Sequence, residues 1–192
     1  VYPEVARGKY IETPPVKDFE KYYISCDYGT VNPTSFGLWG LYKDVWYRFQ
    51  EFYYSSRIEG RQLTDEEYYE KLYEFTDGRK IEAVIIDPSA ASFIQCIRRH
   101  GKFKVIPAKN DVTGGIRKVQ GAFRQGKILI SPVCKASIKE FSLYRWDEGS
   151  GKDCPKKEND HAMDDMRYFV ATVLKNQKSA FTACAVERKG GG

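Results

Sequence analysis

The sequence predicts one α/β domain: a mixed central sheet, antiparallel in its first strands and parallel afterwards, with helices packed on its faces. Three observations carry this. Aromatic and β-branched runs separated by turn signals open the chain. Strand-like and helix-like segments alternate after Thr64. A length of 192 residues with 42% hydrophobic content is enough for one core and marginal for two.

The elements follow in order. Tyr22 to Asp27 reads as a strand leading into the turn Tyr28–Gly29–Thr30–Val31–Asn32–Pro33. Ser35 to Tyr42 and Val45 to Tyr54 flank Lys43–Asp44 as a hairpin. Thr64 and Glu67 form a capping box that opens a helix ending near Asp77–Gly78. Ile81 to Asp87 is a strand, and Ser89 to His100 a helix closed by Gly101. Phe103 to Pro107 and Ile128 to Ile130 are short strands around a helix from Thr113 to Gln125. Ser137 to Tyr144 and Asp160 to Leu174 are the last helices. Residues 1–20 read as a lead-in segment, 21–178 as the domain and 179–192 as a tail.

Composition narrows the function. No apolar stretch approaches the roughly 20 residues that span a bilayer. The net charge of +5 suits a polyanionic partner without requiring one. Cys26, Cys96, Cys134, Cys154 and Cys184 form no C-x-x-C pair, which argues against a zinc site or a disulfide framework and for a reducing compartment. Gly114–Gly115–Ile116–Arg117–Lys118 lacks the spacing and hydroxyl of a phosphate-binding loop, so ATP hydrolysis is not expected. Trp39, Trp46 and Trp146 are assigned to packing.

Chemistry concentrates in acids. Asp27 and Asp87 each end an apolar run, and Asp164 lies on the last helix with His161 three positions before it on the same face. Asp160 shares that face, whereas Asp165 is turned by about 100°. Singly, each aspartate reads as a turn, cap or solvated residue. Jointly, strand-end carboxylates in an open α/β sheet fall where sites form. Two carboxylates about 4 Å apart repel by roughly 4 kcal/mol at an effective dielectric near 20, a large share of folding stability. Protons or divalent cations must relieve that. Oxygen ligands with open positions suit Mg²⁺ or Mn²⁺, and a pair of ions about 3.5–4 Å apart suits phosphodiester cleavage. His161 would ligate, orient water, protonate a leaving group, or simply pack.

Cys26–Asp27–Tyr28–Gly29–Thr30 with Asn32–Pro33, Ile86–Asp87–Pro88–Ser89–Ala90, and Asp160 through Tyr168 resemble the nuclease domain of tailed-bacteriophage terminase large subunits. Val105 to Val112, Gly115–Ile116, Ile128 to Ile130 and Glu140 to Trp146 continue the likeness, which runs from Val1 to about Leu174. Val1–Tyr2–Pro3–Glu4 resembles the segment that follows the ATPase motor in that family. The resemblance implies an RNase H-like fold and a metal-dependent endonuclease cutting concatemeric double-stranded viral DNA during packaging. It implies Asp27, Asp87 and Asp164 as catalytic metal ligands for two Mg²⁺ or Mn²⁺ ions, with His161 beside them. Asp165 stands where relatives carry a small apolar residue and is read as an auxiliary ligand or a solvated side chain. Asp160 is read as the helix N-cap. Implied partners are a motor domain, the terminase small subunit and the portal protein, in the host cytoplasm, with the isolated domain a monomer.

Lys109, Arg117, Lys118, Arg124 and Lys127, and Lys152, Lys156 and Lys157 before the last helix, are the candidates for DNA phosphates. The stretch from Asp147 to Asn159 reads as a loop gating the cleft. Two other readings stand beside this one. One is another RNase H-like enzyme: a junction resolvase, integrase or ribonuclease. The other is a non-catalytic domain that binds DNA or the portal.

Overall fold

The computed structural model describes residues 1–147, 149 and 154–174. Its sheet has six strands: β1 (Tyr22–Asp27), β2 (Thr34–Tyr42), β3 (Val45–Tyr54), β4 (Ile81–Ile86), β5 (Val105–Pro107) and β6 (Ile128–Ile130). They lie in the order β5-β4-β1-β2-β3-β6. β1, β2 and β3 are antiparallel neighbours, while β4 on β1, β5 on β4 and β6 on β3 are parallel. This is the mixed sheet that the sequence predicts. The hairpin closes on Lys43 and Asp44, with φ of 48° and 64°, the left-handed pair a two-residue turn between twisted strands requires.

Helices cover both faces. Side chains alternate along β1, so Ile24 and Cys26 point one way and Ser25 the other. On the Ile24 face lie α3 (Asp65–Thr76) and α4 (Ala91–His100), packed through Tyr68, Leu72, Phe93 and Ile97. On the Ser25 face lie α5 (Val112–Arg124), α6 (Lys135–Leu143) and α7 (His161–Phe169) around Trp39, Ile116, Phe141, Met166 and Phe169. Trp39 and Phe169 stack with centroids 4.1 Å apart, fixing the end of α7 on the sheet.

Several expectations are corrected. The lead-in segment is tied into the domain. Its short α1 (Pro3–Ala6) buries Tyr2 and Val5 in the α5–α7 core, and Ile11 bridges to Ile130. A second short helix, α2 (Ser56–Glu59), was not anticipated. The last helix keeps α-helical geometry only to Phe169 and continues as a π-helical turn, Val170–Leu174. Trp146 is not a core residue: it is 38% exposed and lies beside Pro155 in an isolated bridge, whereas Trp39 and Trp46 are buried. The tail 179–192 and Lys152 lie outside the described residues, as does most of the supposed gating loop between Asp147 and Cys154.

Candidate metal centre

Register brings the first two acids together. Asp27 is the last residue of β1, and Cys26 pairs with Ile86, so Asp87 leaves β4 beside it at the same end of the sheet. The third element is α7, which crosses β1, β2 and β4 on the Ser25 face. Asp160 holds the N-cap position as expected, but its side chain makes no capping bond. Glu140 does this instead. Its Oε2 accepts the Ala162 and Met163 N–H groups at 2.8 and 3.4 Å, while Tyr53 donates its hydroxyl to Oε1 at 2.7 Å. A carboxylate from α6 therefore meets the positive end of the α7 dipole.

Asp165 is neither solvated nor free for a cation. It is fully buried, and both its oxygens are engaged. Arg48 grips it bidentately, with Nη1 on Oδ1 and Nη2 on Oδ2 at 3.0 Å. The hydroxyls of Ser25 (2.8 Å) and Ser35 donate to the same carboxylate, and Trp39 Nε1 donates to Ser25. Burial pushes the Asp165 carboxyl up, and Arg48 and the serines pull against that. A Cβ on Gly37 would lie 2.1 Å from Arg48 Nη1, so glycine is required where the guanidinium crosses β2. This peg sets the rotation of α7 and turns the adjacent Asp164 toward the strand tips.

There the charges converge. Tyr168 donates its hydroxyl to Asp87 Oδ2 at 3.1 Å. Burial, then the negative charges of Asp27 and Asp164, and more weakly that of Asp87, raise the Tyr168 phenol far above its usual value. Burial raises Asp27 to about 6, helped by Asp164 and Asp165, while His161 opposes it through Nδ1 at 2.9 Å from Asp27 Oδ2. Burial lowers His161, but its bond to Asp27 and the acids around it leave the ring above its ordinary value. Burial alone would raise Asp87; the Ser89 N–H at 2.8 Å, the Tyr168 hydroxyl and the Arg167 charge bring it below the usual range. Burial raises Asp160, and Asp164 adds to it.

Asp164 is held by cations of the chain. Arg167 approaches its Oδ1 with Nη2 at 3.0 Å and Nε at 3.2 Å, and Lys157 Nζ stands 3.9 Å from Oδ2. Arg167 is itself buried, its Nη1 donating to the Asp111 carbonyl at 3.3 Å. Gly115 leaves it room, since a Cβ there would lie 2.5 Å from Arg167 Cγ. Sequence reasoning missed Arg167, Tyr168, Glu140 and Arg48. Arg167 and Tyr168 share the Asp164 face at i+3 and i+4, which is the one signal that pointed to them.

Spacing and donor chemistry say different things about a metal. Asp27, Asp87 and Asp164 supply only hard oxygens, which fits Mg²⁺ or Mn²⁺. They do not, however, draw within 4.8 Å of one another as a trio. Among the described residues the one such group of three donors is Glu66, Cys96 and His100. Each acid has its own internal partner: His161 on Asp27, Arg167 on Asp164 and the Tyr168 hydroxyl on Asp87. That fits ligands divided between two ions better than one ion gripped by all three.

Of the basic candidates, the structure brings Lys157 to the acids. Lys109 leaves β5 just after Pro107, which pairs with Ile86, so it lies at the acidic end of the sheet. Arg117 and Lys118 are exposed on α5, which packs against α7, and Lys156 is half-buried. Lys127 precedes β6, whose start pairs with the start of β3, and so lies at the opposite end.

A mixed sheet of this order, with acids at the tips of its central strands and on the helix laid across them, defines an RNase H-like domain. The chain belongs to the terminase RNase H-like domain family, whose sequence model matches residues 26–172. It is 28% identical over 107 residues to the terminase large subunit of Escherichia phage T5, covering 53% of this chain and 24% of that protein. The large terminase of a thermophilic bacteriophage, solved in complex with ADP, superposes with a TM-score of 0.84 at 49% identity, over 88% of this chain and 43% of that one. The chain thus spans less than half the length of both proteins. The P22 large terminase nuclease domain shares the fold at 19% identity, with a TM-score of 0.67 and coverage of 87% and 88%. So does the G20c phage terminase nuclease with bound magnesium, at 13% identity, with a TM-score of 0.65 and coverage of 87% and 95%.

Proposed function

We propose that this domain is a metal-dependent endonuclease that cleaves double-stranded phage DNA during packaging, with Asp27, Asp87 and Asp164 holding Mg²⁺ or Mn²⁺, two ions in the working centre. The observation that carries this is that Asp27 and Asp87 end the adjacent strands β1 and β4 under α7, the helix that carries Asp164, with His161 of that helix on Asp27 and its Tyr168 on Asp87. A magnesium-bound terminase nuclease with the same fold supports it. Bound ions of this kind activate a water and neutralise charge developing on the phosphate.

The chain's own residues prepare the centre. Asp27 and His161 share a proton across 2.9 Å, so a cation there competes with that proton. Arg167 and Lys157 stand against the Asp164 carboxylate and offset its charge before a metal arrives. Tyr168 fixes the orientation of Asp87. Lys157, largely exposed beside Asp164, faces an incoming phosphate. Among the described residues no set for reading base edges accompanies them, which suits cleavage with little sequence preference. In a longer chain a motor domain would feed DNA to this centre, with the small subunit and portal as partners, in the host cytoplasm.

The test is plasmid nicking with Mg²⁺ or Mn²⁺. Asp27→Asn, Asp87→Asn and Asp164→Asn should each keep the circular-dichroism spectrum and lose at least about a hundredfold in rate. A wild-type domain inert with both ions would favour a non-catalytic DNA- or portal-binding role. Faster cutting of branched DNA or RNA–DNA hybrid than of linear duplex would favour a resolvase or ribonuclease.

A further inference from the structure

On the sheet face opposite the acidic centre, α3 and α4 bring together a different donor set. We propose that Glu66, Cys96 and His100 form a second metal site, selective for Zn²⁺ and similar borderline cations, that clamps α3 to α4. Cys96 and His100 are four residues apart on α4 and so share one face, and Glu66 reaches them from the first turn of α3. Their ligand atoms all lie within 4.8 Å of one another, and His100 Nε2 is 2.7 Å from Glu66 Oε2.

The site is partly built. Tyr69 stacks on the His100 imidazole, with centroids 3.8 Å apart and planes 6° from parallel, which holds the ring aimed at Glu66. Cys96 is buried at the base, while Glu66 and His100 stand at the rim, open to solvent on one side. A cation already stands beside two of the donors: the Arg99 guanidinium contacts Glu66 and lies 4.0 Å from Cys96 Sγ. The Arg99 side chain is 66% exposed and can swing out, so a metal would exchange one positive group for another.

Donor chemistry sets the class. Thiolate, imidazole and carboxylate together suit Zn²⁺ or Co²⁺, with a fourth position left for water. They do not suit the Mg²⁺ or Mn²⁺ proposed for the oxygen-only centre. Binding forms bonds from Sγ, Nε2 and a carboxylate oxygen, and Cys96 releases its proton to solvent. Burial and the nearby Asp65 charge raise the Cys96 thiol, so it stays protonated until a metal displaces that proton.

The experiment is titration of the chelator-treated chain with Co²⁺, read by the thiolate-to-cobalt charge-transfer absorbance that carboxylate sites cannot give. The expected result is a saturable band at one equivalent, displaced by Zn²⁺, together with a Zn²⁺-dependent rise in unfolding temperature. Cys96→Ser should abolish the band. Glu66→Gln, at an exposed position, and His100→Gln, which also gives up the stack on Tyr69, should each weaken binding about tenfold or more. Arg99→Ala should tighten it. Absence of the band, its survival in Cys96→Ser, or indifference to both His100→Gln and Glu66→Gln would each overturn the site.

Discussion

A single proton ties Asp27 to stability. Its folded value of about 6 lies above the unfolded 3.8, chiefly because it is buried, so between about pH 4 and 6 the folded chain binds more protons than the unfolded one. Stability must therefore fall as pH rises through that window, by on the order of 3 kcal/mol. His161 has the same sign: its gain is complete below 6.5 and is lost as pH rises through its elevated folded value. Urea midpoints measured from pH 4 to 6 should decline for the wild type and flatten in Asp27→Asn. A slope unchanged by that substitution would remove Asp27 as the cause. Mn²⁺ affinity, measured by calorimetry, should rise across the same range as the proton leaves. Asp165 obeys different rules. Removing Arg48 leaves its charge buried and unpaired, and Arg48→Met should cost about 3–5 kcal/mol in denaturant unfolding, whereas Asp77→Asn at an exposed ion pair should change it by less than about 1 kcal/mol.

Helix starts show which elements are legible in a sequence. The α3 box is readable because Thr64 and Glu67 cap each other within three residues, and both bonds form as read. α6 and α7 have no such local signal. Glu51 on β3 caps Ala136 and Ser137, and Glu140 caps Ala162 and Met163, so each helix start depends on a residue remote in sequence. The same distance hid the role of Asp165, whose partner Arg48 is 117 residues away. Strand-end acids were visible because a carboxylate stands out after an apolar run. What local pattern could not reveal was the partner each acid takes, His161 on Asp27 and Arg167 on Asp164. Two substitutions separate local from remote caps. Thr64→Ala should lower stability by about 1 kcal/mol and leave cleavage unchanged. Glu140→Gln weakens a charged cap under the helix that carries Asp164, so its thermal midpoint should fall together with the nicking rate. A Glu140→Gln chain that melts earlier but cuts normally would detach the cap from the centre.

At the scale of the whole molecule, the acids sit in a chain of net charge +5, so attraction for DNA must come from cations placed around them. Topology sorts these cations by sheet end. Asp27, Asp87, Lys109 and Lys157 belong to the end where β1 and β4 finish, and Lys127 to the end where β3 and β6 begin. A duplex laid across the acids would release counterions at the first group and leave the second untouched. Anisotropy titrations of a short duplex at several salt concentrations, with divalent ions withheld, measure this directly. Lys109→Gln combined with Lys157→Gln should reduce the slope of log affinity against log salt by about 2, at roughly 0.9 for each phosphate no longer neutralised. Lys127→Gln should leave the slope unchanged. An equal drop from Lys127→Gln would mean that DNA does not follow the acidic end of the sheet, and the proposed cleavage centre would then have no path by which to receive its substrate.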